Sequence, residues 1–325
     1  MQGKEASEQE TKAKSNVGID VSKCWLDVHV LPTDERRRVA NSCAGIRQLK
    51  RWLLRLDIAL VVIEATGKWH RHVHRSLVAS AIPVAVVDPY RVRMFAKAQG
   101  VLAKTDRLDA RMLALFAAMM DPSVRAPAPQ DMAELAELVT ARASAVEAQA
   151  ALKNQLCTAE SKFLKRQLGR RIVRAAKDIA ALDGEILQRI QANEALARRY
   201  AILTSIPSFG FAVAATLIAC LTEIGSLTAK QIAMLAGLAP IADQSGEREG
   251  VRVIWGGRPA VRRILYLAAL SAASANADMK VFYKRIRASG KPAKVALIAV
   301  ARLAVLANTL IHEDRLWQHR APKYA

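Results

Sequence analysis

Four acidic residues in the first third of the chain have the types and spacing of a divalent-metal site. Asp20 lies in GIDVSK and Glu64 in VVIEATG, each at a short β-branched run, whereas Asp106 and Asp109 lie in KTDRLDA, which has a helical pattern. Residues three apart share one face of a helix. Carboxylates brought together by separate elements repel one another unless a cation is bound, so the set predicts one metal site. Such a site is typical of phosphodiester chemistry.

The charge of the chain points to a polyanionic partner. Its 325 residues have room for about two domains. They include 49 Lys and Arg against 29 Asp and Glu, a formal net charge of +20. Solubility alone needs a net charge of only about 2–8, so nucleic acid is the expected partner and an anionic membrane is less favoured. The longest apolar stretches, residues 209–221 and 295–311, are predicted to be buried helices, since the first is short and Arg302 interrupts the second.

The chain ends and the cysteines indicate a protein of the reducing cytoplasm. Residues 1–15 are polar and lack the apolar segment of a signal peptide, so they are predicted to be a disordered arm. The four cysteines are scattered without a CxxC pair, which favours neither a zinc ribbon nor a disulfide framework.

Residues 16–125 have an α/β pattern. Strand-like runs alternate with helical stretches near residues 44–56, 68–80, 90–98 and 105–120; the runs are NVGIDVS, WLDVHVL, ALVVIEA and PVAVVDP. The first two runs are close enough for an antiparallel hairpin, and the later ones are separated by helices that suit parallel crossovers. A mixed sheet is therefore predicted.

Residues 126–200 follow a Pro-rich break and are predicted to form a coiled-coil linker of two long helices. Ile172, Ile179 and Ile186 recur every seven residues, with Ala175 and Leu182 between them. Basic side chains crowd the middle of this region and either follow a phosphate backbone or form a solvated helix face; the main candidates are Arg166, Arg170, Arg171 and Arg174.

Residues 201–312 are predicted to be a mostly helical domain, followed by a tail at 313–325. The segment SIPSFGFAVAATLIA places a Pro and a Gly before an apolar helix, which suits either a phosphate-binding turn or an ordinary helix connection. Ser245 lies between Gln244 and Gly246 in a polar interruption of apolar helices. From spacing alone a turn is the better interpretation, because no G-x-S-x-G elbow accompanies this serine.

Taken in order, GIDVSK, IEATG, KTDRLDA and AGLAP…SGEREG…RRILYLAALSA resemble the DEDD-type transposases of bacterial insertion sequences, relatives of the Piv DNA invertase. The resemblance extends from about Asn16 to Leu310, and KTDRLDA is its most specific element. It implies an RNase H-like (RuvC-like) domain joined by a coiled coil to a helical transposase domain with an essential serine.

The resemblance also assigns roles to residues. It implies that Asp20, Glu64, Asp106 and Asp109 hold Mg²⁺, with Mn²⁺ as an alternative, and that Ser245 attacks a DNA phosphate to form a covalent phosphoserine. It further implies donor and target DNA as substrates, a structured bridge RNA as guide, and a homodimer or homotetramer. Nucleic-acid contacts are predicted at Lys104 and Arg107 beside the KTDRLDA carboxylates.

Two segments depart from the family pattern. Pro207-Ser208-Phe209-Gly210 stands where many members have Pro-Gly-x-Gly, which puts the phosphate contact of that turn in doubt. The segment after the serine contains Gly256-Gly257-Arg258 in place of I-x-K-x-G, so we expect Arg258, Arg262 or Arg263 to supply the missing positive charge.

Other residues have weaker interpretations. His70 and His74 are four apart on a predicted helix but lack zinc-ligand partners at the usual spacing, so nucleic-acid contact or exposed surface is favoured over zinc. The five tryptophans are too dispersed for a base-stacking platform, and core packing is expected for most of them.

Three functions from different classes follow from the sequence. The first is a recombinase that depends on both metal and Ser245, either RNA-guided or a protein-only invertase of the Piv type. The second is a metal-dependent, junction-specific nuclease that uses water as its nucleophile. The third is a nucleic-acid-binding protein without catalysis.

Overall fold

The computed structural model describes residues 14–65, 67–101, 106–241, 244–245, 248–249 and 253–318, with backbone alone at 106–108, 244–245 and 248–249. The chain divides into two compact units, Met1–Ala128 and Pro129–Ala325. The predicted separation of the coiled-coil linker from the helical domain within the second unit stays a prediction, as do the arm and tail boundaries.

The first unit is built on a mixed five-stranded sheet of order β3-β2-β1-β4-β5. Its strands are β1 (Ser15–Val21), β2 (Trp25–Leu31), β3 (Glu35–Ala40), β4 (Ile58–Glu64) and β5 (Val84–Val87). Strands β1, β2 and β3 are antiparallel neighbours, and β4 runs parallel to both β1 and β5. The predicted hairpin, parallel crossovers and RNase H-like mixed sheet are confirmed.

Helices cover both faces of this sheet. They are α1 (Cys43–Leu53), α2 (His70–Val78), α3 (Pro89–Ala98) and α4 (Asp106–Met120). Odd-numbered residues of β1 and β4, such as Ile19 and Ile63, are buried in the cluster that contains side chains of α1 and α2. Val62 is buried in the opposite cluster with Leu113 and Phe116 of α4. We call this second side of the sheet the α4 face.

Strand β3 is an element that the sequence pattern did not predict. Its segment ERRRVA has one buried apolar residue, Val39, and otherwise reads as a polar connection. It forms a strand because it pairs with β2 along its length, from Trp25↔Ala40 to Val30↔Glu35. An edge strand needs little apolar content, and charged side chains protect it from pairing with other chains.

The second unit begins with two long antiparallel helices, α5 (Gln130–Thr158) and α6 (Lys162–Gln191). Cross-helix contacts set their register, from Glu134 with Arg189 at one end, through Arg142 with Asp183, to the Gln149 amide with the Ile172 carbonyl. Ile186 is fully buried in the seam, as the seven-residue repeat predicts.

Seven further helices and two small β-ribbons complete the second unit among the described residues. The helices are α7 (Glu194–Ser205), α8 (Phe211–Cys220), α9 (Ala229–Leu235), α10 (Pro259–Ala275), α11 (Ala277–Ala288), α12 (Ala293–Ala301) and α13 (Leu303–His312). The ribbons pair β6 (Pro240–Ile241) with β9 (Val253–Ile254), and β7 (Gln244–Ser245) with β8 (Arg248–Glu249). These strands interrupt the helical region that the sequence predicts.

The two apolar stretches are buried, as predicted. Residues Ala293–His312 are long and apolar enough to cross a membrane, but half of that window is buried in the protein. Arg302 divides it into α12 and α13, whose Val300, Ala304 and Leu310 lie in the main core of the unit with Leu217 of α8. The stretch therefore behaves as core helix.

Two histidines are buried in the first unit. His74 is 6% exposed, with its Nε2 atom 3.0 Å from the carbonyl oxygen of Arg125, so the expectation of exposed surface is wrong for this residue. His29 is 1% exposed and faces Asp34. Burial is the main cause that lowers the pKa of both imidazoles, because it disfavours their charged form.

The lowered pKa values predict acid sensitivity. Below about pH 6.5 the unfolded chain binds protons that the folded state excludes, so the free energy of unfolding falls as pH decreases through this window. Denaturant unfolding at pH 7.5 and 5.5 should show a smaller loss in a His29→Gln/His74→Gln double variant than in the wild type. An equal loss in both proteins would contradict this assignment.

A second prediction concerns the packing of α4 on β1. A Cβ atom at Gly18 would lie 2.1 Å from the Ala110 carbonyl oxygen and 2.4 Å from the Ala114 amide nitrogen. Gly18→Ala should therefore lower the free energy of unfolding by about 3 kcal/mol, since backbone cannot move aside cheaply.

Gly184→Ala is the matched control for that substitution. Gly184 is in the middle of α6, with no atom within 4 Å of an added Cβ. This change should raise the free energy of unfolding by about 0.5–1 kcal/mol. Equal effects of the two substitutions in denaturant unfolding would rule out the close α4–β1 contact.

Candidate active site

Two of the predicted metal ligands end neighbouring parallel strands. Ile19 of β1 is the register partner of Ile63 of β4, so Asp20 and Glu64 are the next residues along the two strands. Parallel neighbours are about 4.8 Å apart. Because side chains alternate along a strand and Ile19 and Ile63 point away from α4, Asp20 and Glu64 belong to the α4 face.

Helix α4 brings the third ligand to the same end of the sheet. Gly18, two residues before Asp20, lies against Ala110, Leu113 and Ala114, so the N-terminal half of α4 packs on β1. Asp109 immediately precedes Ala110, and Asp106 begins the helix one turn earlier. Asp20, Glu64 and Asp109 are all half-buried. The three elements that carry the four predicted ligands, β1, β4 and α4, therefore pack against one another.

A fifth acidic residue lies in the same place. Asp27 is the register partner of Asp20 on the adjacent strand β2. Its two carboxylate oxygens accept hydrogen bonds of 2.7 and 2.8 Å from Nε and Nη2 of Arg38 on β3. Because both Asp27 oxygens bind Arg38, this carboxylate is not counted among the metal ligands. Sequence reasoning missed this pair because it did not predict β3.

A basic cavity of about 360 Å³ adjoins these strands. It is lined by Asp27, His29, Arg36, Arg38 and Ala110, among others. The Nε2 atom of His29 lies 2.9 Å from Oδ1 of Asp34, an ion-pair distance without the alignment of a hydrogen bond. Two arginines of this cavity are already paired with carboxylates, Arg36 with Asp34 and Arg38 with Asp27.

The donor chemistry of the carboxylate set fits a hard divalent cation. Carboxylate oxygens are the ligands that Mg²⁺ and Mn²⁺ prefer. The side chains of Asp20, Glu64 and Asp109 are described, yet neither these three nor any other three acidic, histidine or cysteine groups in the described part of the chain form a metal-binding cluster. A complete set would need Asp106, and the ligand assignment stays a prediction.

Ser245 lies on the small β-ribbon of the second unit. Its strand β7 pairs with β8 through Gln244↔Glu249 and Ser245↔Arg248, so only two residues separate Ser245 from its partner. The backbone thus places Ser245 at a hairpin turn. The Ser245 side chain lies outside the described residues.

Two glycines, Gly256 and Gly257, follow the β6–β9 ribbon, and both have a positive φ. Gly257 has a φ of +73°, and a Cβ there would lie 2.4 Å from the Gly237 amide nitrogen at the end of α9. No other residue type suits both constraints. The family pattern predicts a displaced charge at this point, and the structure adds a packing role for Gly257, whereas Gly256 has open space around it and only a positive φ of +76°.

The three arginines considered as sources of the missing positive charge, Arg258, Arg262 and Arg263, already bind other groups of the protein. Arg258 donates to both Glu223 oxygens at 2.7 and 2.5 Å and to the Cys220 carbonyl oxygen at 2.7 Å. This pairing is the largest cause that lowers the pKa of Glu223. Arg262 donates to the Gly256 carbonyl oxygen, and Arg263 pairs with Glu147 of α5. Their predicted nucleic-acid contacts stay predictions.

The departure at Ser208 has a conformational consequence. Ser208 has a φ of +77°, a left-handed conformation that a glycine adopts without strain. Phe209 is buried and Gly210 caps α8 without a side-chain hydrogen bond. The serine therefore adopts the backbone geometry that a glycine would favour.

The predicted basic surface on α6 is exposed. Arg166, Arg170 and Arg174 recur every four residues on the side away from the Ile186 seam, and all are exposed, as is Arg171. Arg174 pairs with Asp178 at 3.1 Å. Lys104 lies outside the described residues, as does the side chain of Arg107.

Three of the five tryptophans contradict the expectation of core packing. Trp25, Trp69 and Trp255 are 47%, 39% and 56% exposed. Trp52 is buried as expected. A sequence pattern could not separate these cases because the exposed residues lie at strand ends and in loops.

Comparison with known proteins gives two matches to family models. Residues 17–159 match a model for the IS110 DEDD transposase, described as a transposase. Residues 200–284 match a model of the IS116/IS110/IS902 transposase family. The two matches follow the order of the carboxylate and serine segments and together cover more than two thirds of the chain.

Individual relatives agree with those models. The chain is 26% identical over 319 residues to the pilin gene-inverting proteins of Moraxella bovis and Moraxella lacunata, a span of 95% of this chain and 99% of each relative. It is 32% identical over 123 residues to an uncharacterized IS110 insertion-element protein of Streptomyces coelicolor, covering 35% of this chain and 30% of that one. The chain belongs to the IS110-type family of transposases.

Proposed function

We propose that this protein is a DNA recombinase that cuts and rejoins strands through a covalent bond between Ser245 and a DNA phosphate, with Mg²⁺ bound by Asp20, Glu64, Asp106 and Asp109. The observation that carries this proposal is the register of β1 and β4, which makes Asp20 and Glu64 neighbours on adjacent strands against which α4 packs. The family match supplies the reaction class.

The chemistry assigned to each residue follows from its properties. The Ser245 oxygen forms a bond to phosphorus while the bond from phosphorus to the leaving strand oxygen breaks. The hydroxyl proton goes to a base, and the leaving oxygen gains a proton. Bound Mg²⁺ would polarise the phosphate oxygens and offset their charge. Rejoining reverses these bond changes with a strand hydroxyl as the attacking group.

Ser245 needs assistance that its own segment does not provide. A serine hydroxyl is a weak nucleophile until a base or a metal activates it. No histidine lies within ten residues of Ser245 in the sequence. The carboxylates belong to the first unit and Ser245 to the second, so the proposal requires both units, from one protomer or from two.

The remaining partners belong to the same proposal. Donor and target DNA are the substrates, a structured RNA selects them by base pairing, and the protein holds their backbones. The exposed arginines of α6 provide a surface for phosphates, and the paired helices α5 and α6 provide a dimerisation arm in a homodimer or homotetramer. Such a protein would act in the bacterial cytoplasm, at the nucleoid.

DNA inversion without a guide RNA is the second candidate. The full-length similarity to pilin gene-inverting proteins favours it. RNA recovered with the purified protein would distinguish the two, if that RNA directs Mg²⁺-dependent cleavage of matching DNA. Cleavage that is unaffected by removal of RNA would favour the invertase.

The serine mechanism predicts the behaviour of one variant. Ser245→Ala should abolish both strand cleavage and the covalent protein–DNA adduct seen on denaturing gels, because no other atom replaces the Ser245 oxygen. Ser289→Ala is the control, since that hydroxyl only donates to the Ile286 carbonyl oxygen at 2.8 Å. Normal cleavage by Ser245→Ala would leave water as the nucleophile and overturn the serine mechanism.

The carboxylate assignment predicts a separation of binding from cleavage. Asp106→Asn should reduce strand cleavage by about 100-fold or more, since loss of even an outer partner of a metal ligand typically costs about 10–100-fold, while retaining most DNA affinity. Asp121→Asn, just beyond the other end of α4, should cleave normally. Addition of EDTA should stop cleavage by the wild type. Undiminished cleavage by Asp106→Asn would exclude this residue from the site.

A further inference from the structure

We propose that Trp25 and Trp69 form a stacking site for unpaired nucleotide bases at the edge of the candidate active site. The inference rests on the proposed function, because it needs a nucleic-acid strand at the carboxylates. Its ligand is a single-stranded segment of DNA or RNA, which shares one chemistry of flat bases joined by phosphates.

Both tryptophans lie at the end of the sheet that carries the carboxylates. Trp25 begins β2, next to the Val21↔Leu26 pair that ends the β1–β2 ladder. Trp25 and Asp27 are two residues apart on β2, so their side chains point to the same face of the sheet. Asp27 is the register partner of Asp20, and that face is therefore the α4 face. Trp69 follows Glu64 by five residues and directly precedes α2.

Each indole is exposed and accompanied by a cation. Trp25 is 47% exposed, and the Arg38 guanidinium lies 5.9 Å from its ring centre. Trp69 is 39% exposed, with the ammonium groups of Lys23 and Lys68 at 6.0 and 5.5 Å from its ring. A base can stack on the accessible part of such a ring. The Lys23 and Lys68 ammonium groups beside Trp69 can bind an adjoining phosphate, whereas Arg38 beside Trp25 is held by Asp27.

Hydrogen bonds hold the two segments together. The Asn41 side-chain amide donates to the Ser22 carbonyl oxygen at 2.8 Å and to the Trp69 carbonyl oxygen at 3.4 Å. The Trp25 backbone amide donates to the Ser22 hydroxyl at 3.0 Å, and the backbone amide of Asn41 donates to the Cys24 carbonyl oxygen at 2.8 Å. These bonds connect the β1–β2 turn to the segment before α2 and so hold the backbone of Trp25 and Trp69 in one scaffold.

Charge favours a nucleic-acid strand over another ligand for these rings. The three side chains over the indoles are all cationic, and the whole chain carries a net charge of +20. Strand exchange leaves bases unpaired near the cleaved phosphate, and an exposed aromatic ring stabilises such bases irrespective of their identity. The site would therefore hold strand ends between cleavage and rejoining.

Binding of single strands tests this proposal without cleavage. In EDTA, fluorescence anisotropy would measure the affinity of the full-length protein for 12-nucleotide dT and rU oligomers and for a 12-base-pair duplex. The Trp25→Leu/Trp69→Leu double variant should bind the single strands at least about 5-fold more weakly, with duplex affinity changed less than about 2-fold. Loss for dT alone or rU alone identifies which strand uses the site.

Two further proteins act as controls. The Trp25→Phe/Trp69→Phe variant keeps an aromatic ring at both positions and should retain most of the single-strand affinity. Phe163→Leu removes an aromatic side chain that is 64% exposed on α6, far along the sequence, and should leave the single-strand preference unchanged.

The outcomes separate the two proposals. Wild-type protein that binds no nucleic acid would overturn the proposed function together with the stacking site. Wild-type binding that is unchanged in the Leu variant, or equal losses for single strand and duplex, would overturn the stacking site alone. Equal losses in the Leu and Phe variants would likewise exclude stacking, because the Phe variant retains the aromatic face.

Discussion

The position of the candidate active site depends on the contact between Gly18 and the backbone of α4. A glycine in the middle of a central strand lets the Ala110 carbonyl and Ala114 amide approach more closely than any side chain would allow. That approach fixes where α4 starts relative to the ends of β1 and β4. The proposed site requires this packing, because Asp106 and Asp109 belong to the first turns of α4 whereas Asp20 and Glu64 belong to β1 and β4.

Charge compensation is the second constraint on this end of the sheet. Asp20 and Asp27 are register partners on adjacent strands, and acidic residues placed opposite one another are destabilising unless their charge is offset. Arg38 holds both oxygens of Asp27 and thereby offsets the charge of one member of this acidic pair. Asp27 therefore has a structural role, whereas Asp20 belongs to the set that we propose to bind metal.

Much of this arrangement could be predicted from the sequence. The β-branched runs around Asp20 and Glu64 specify buried strands, and the seven-residue repeat through Ile186 specifies the helix pair, since each depends on local periodicity. Strand β3 could not be predicted because its arginine-rich segment lacks an apolar pattern and forms a strand only by pairing with β2. The same omission concealed the Asp27–Arg38 pair and the exposure of Trp25, both of which depend on tertiary neighbours.

The most direct test of the account is the binding of Mn²⁺ to the intact protein, followed by electron paramagnetic resonance in the absence of DNA. The account predicts saturable binding that weakens at least about 10-fold in Asp20→Asn, Glu64→Gln, Asp106→Asn and Asp109→Asn alike, because each removes one ligand of a shared site. Asp27→Asn, which alters the neighbouring ion pair, should retain the binding. Affinity that is unaffected by these four substitutions, or lost only in Asp27→Asn, would contradict a single site built by β1, β4 and α4.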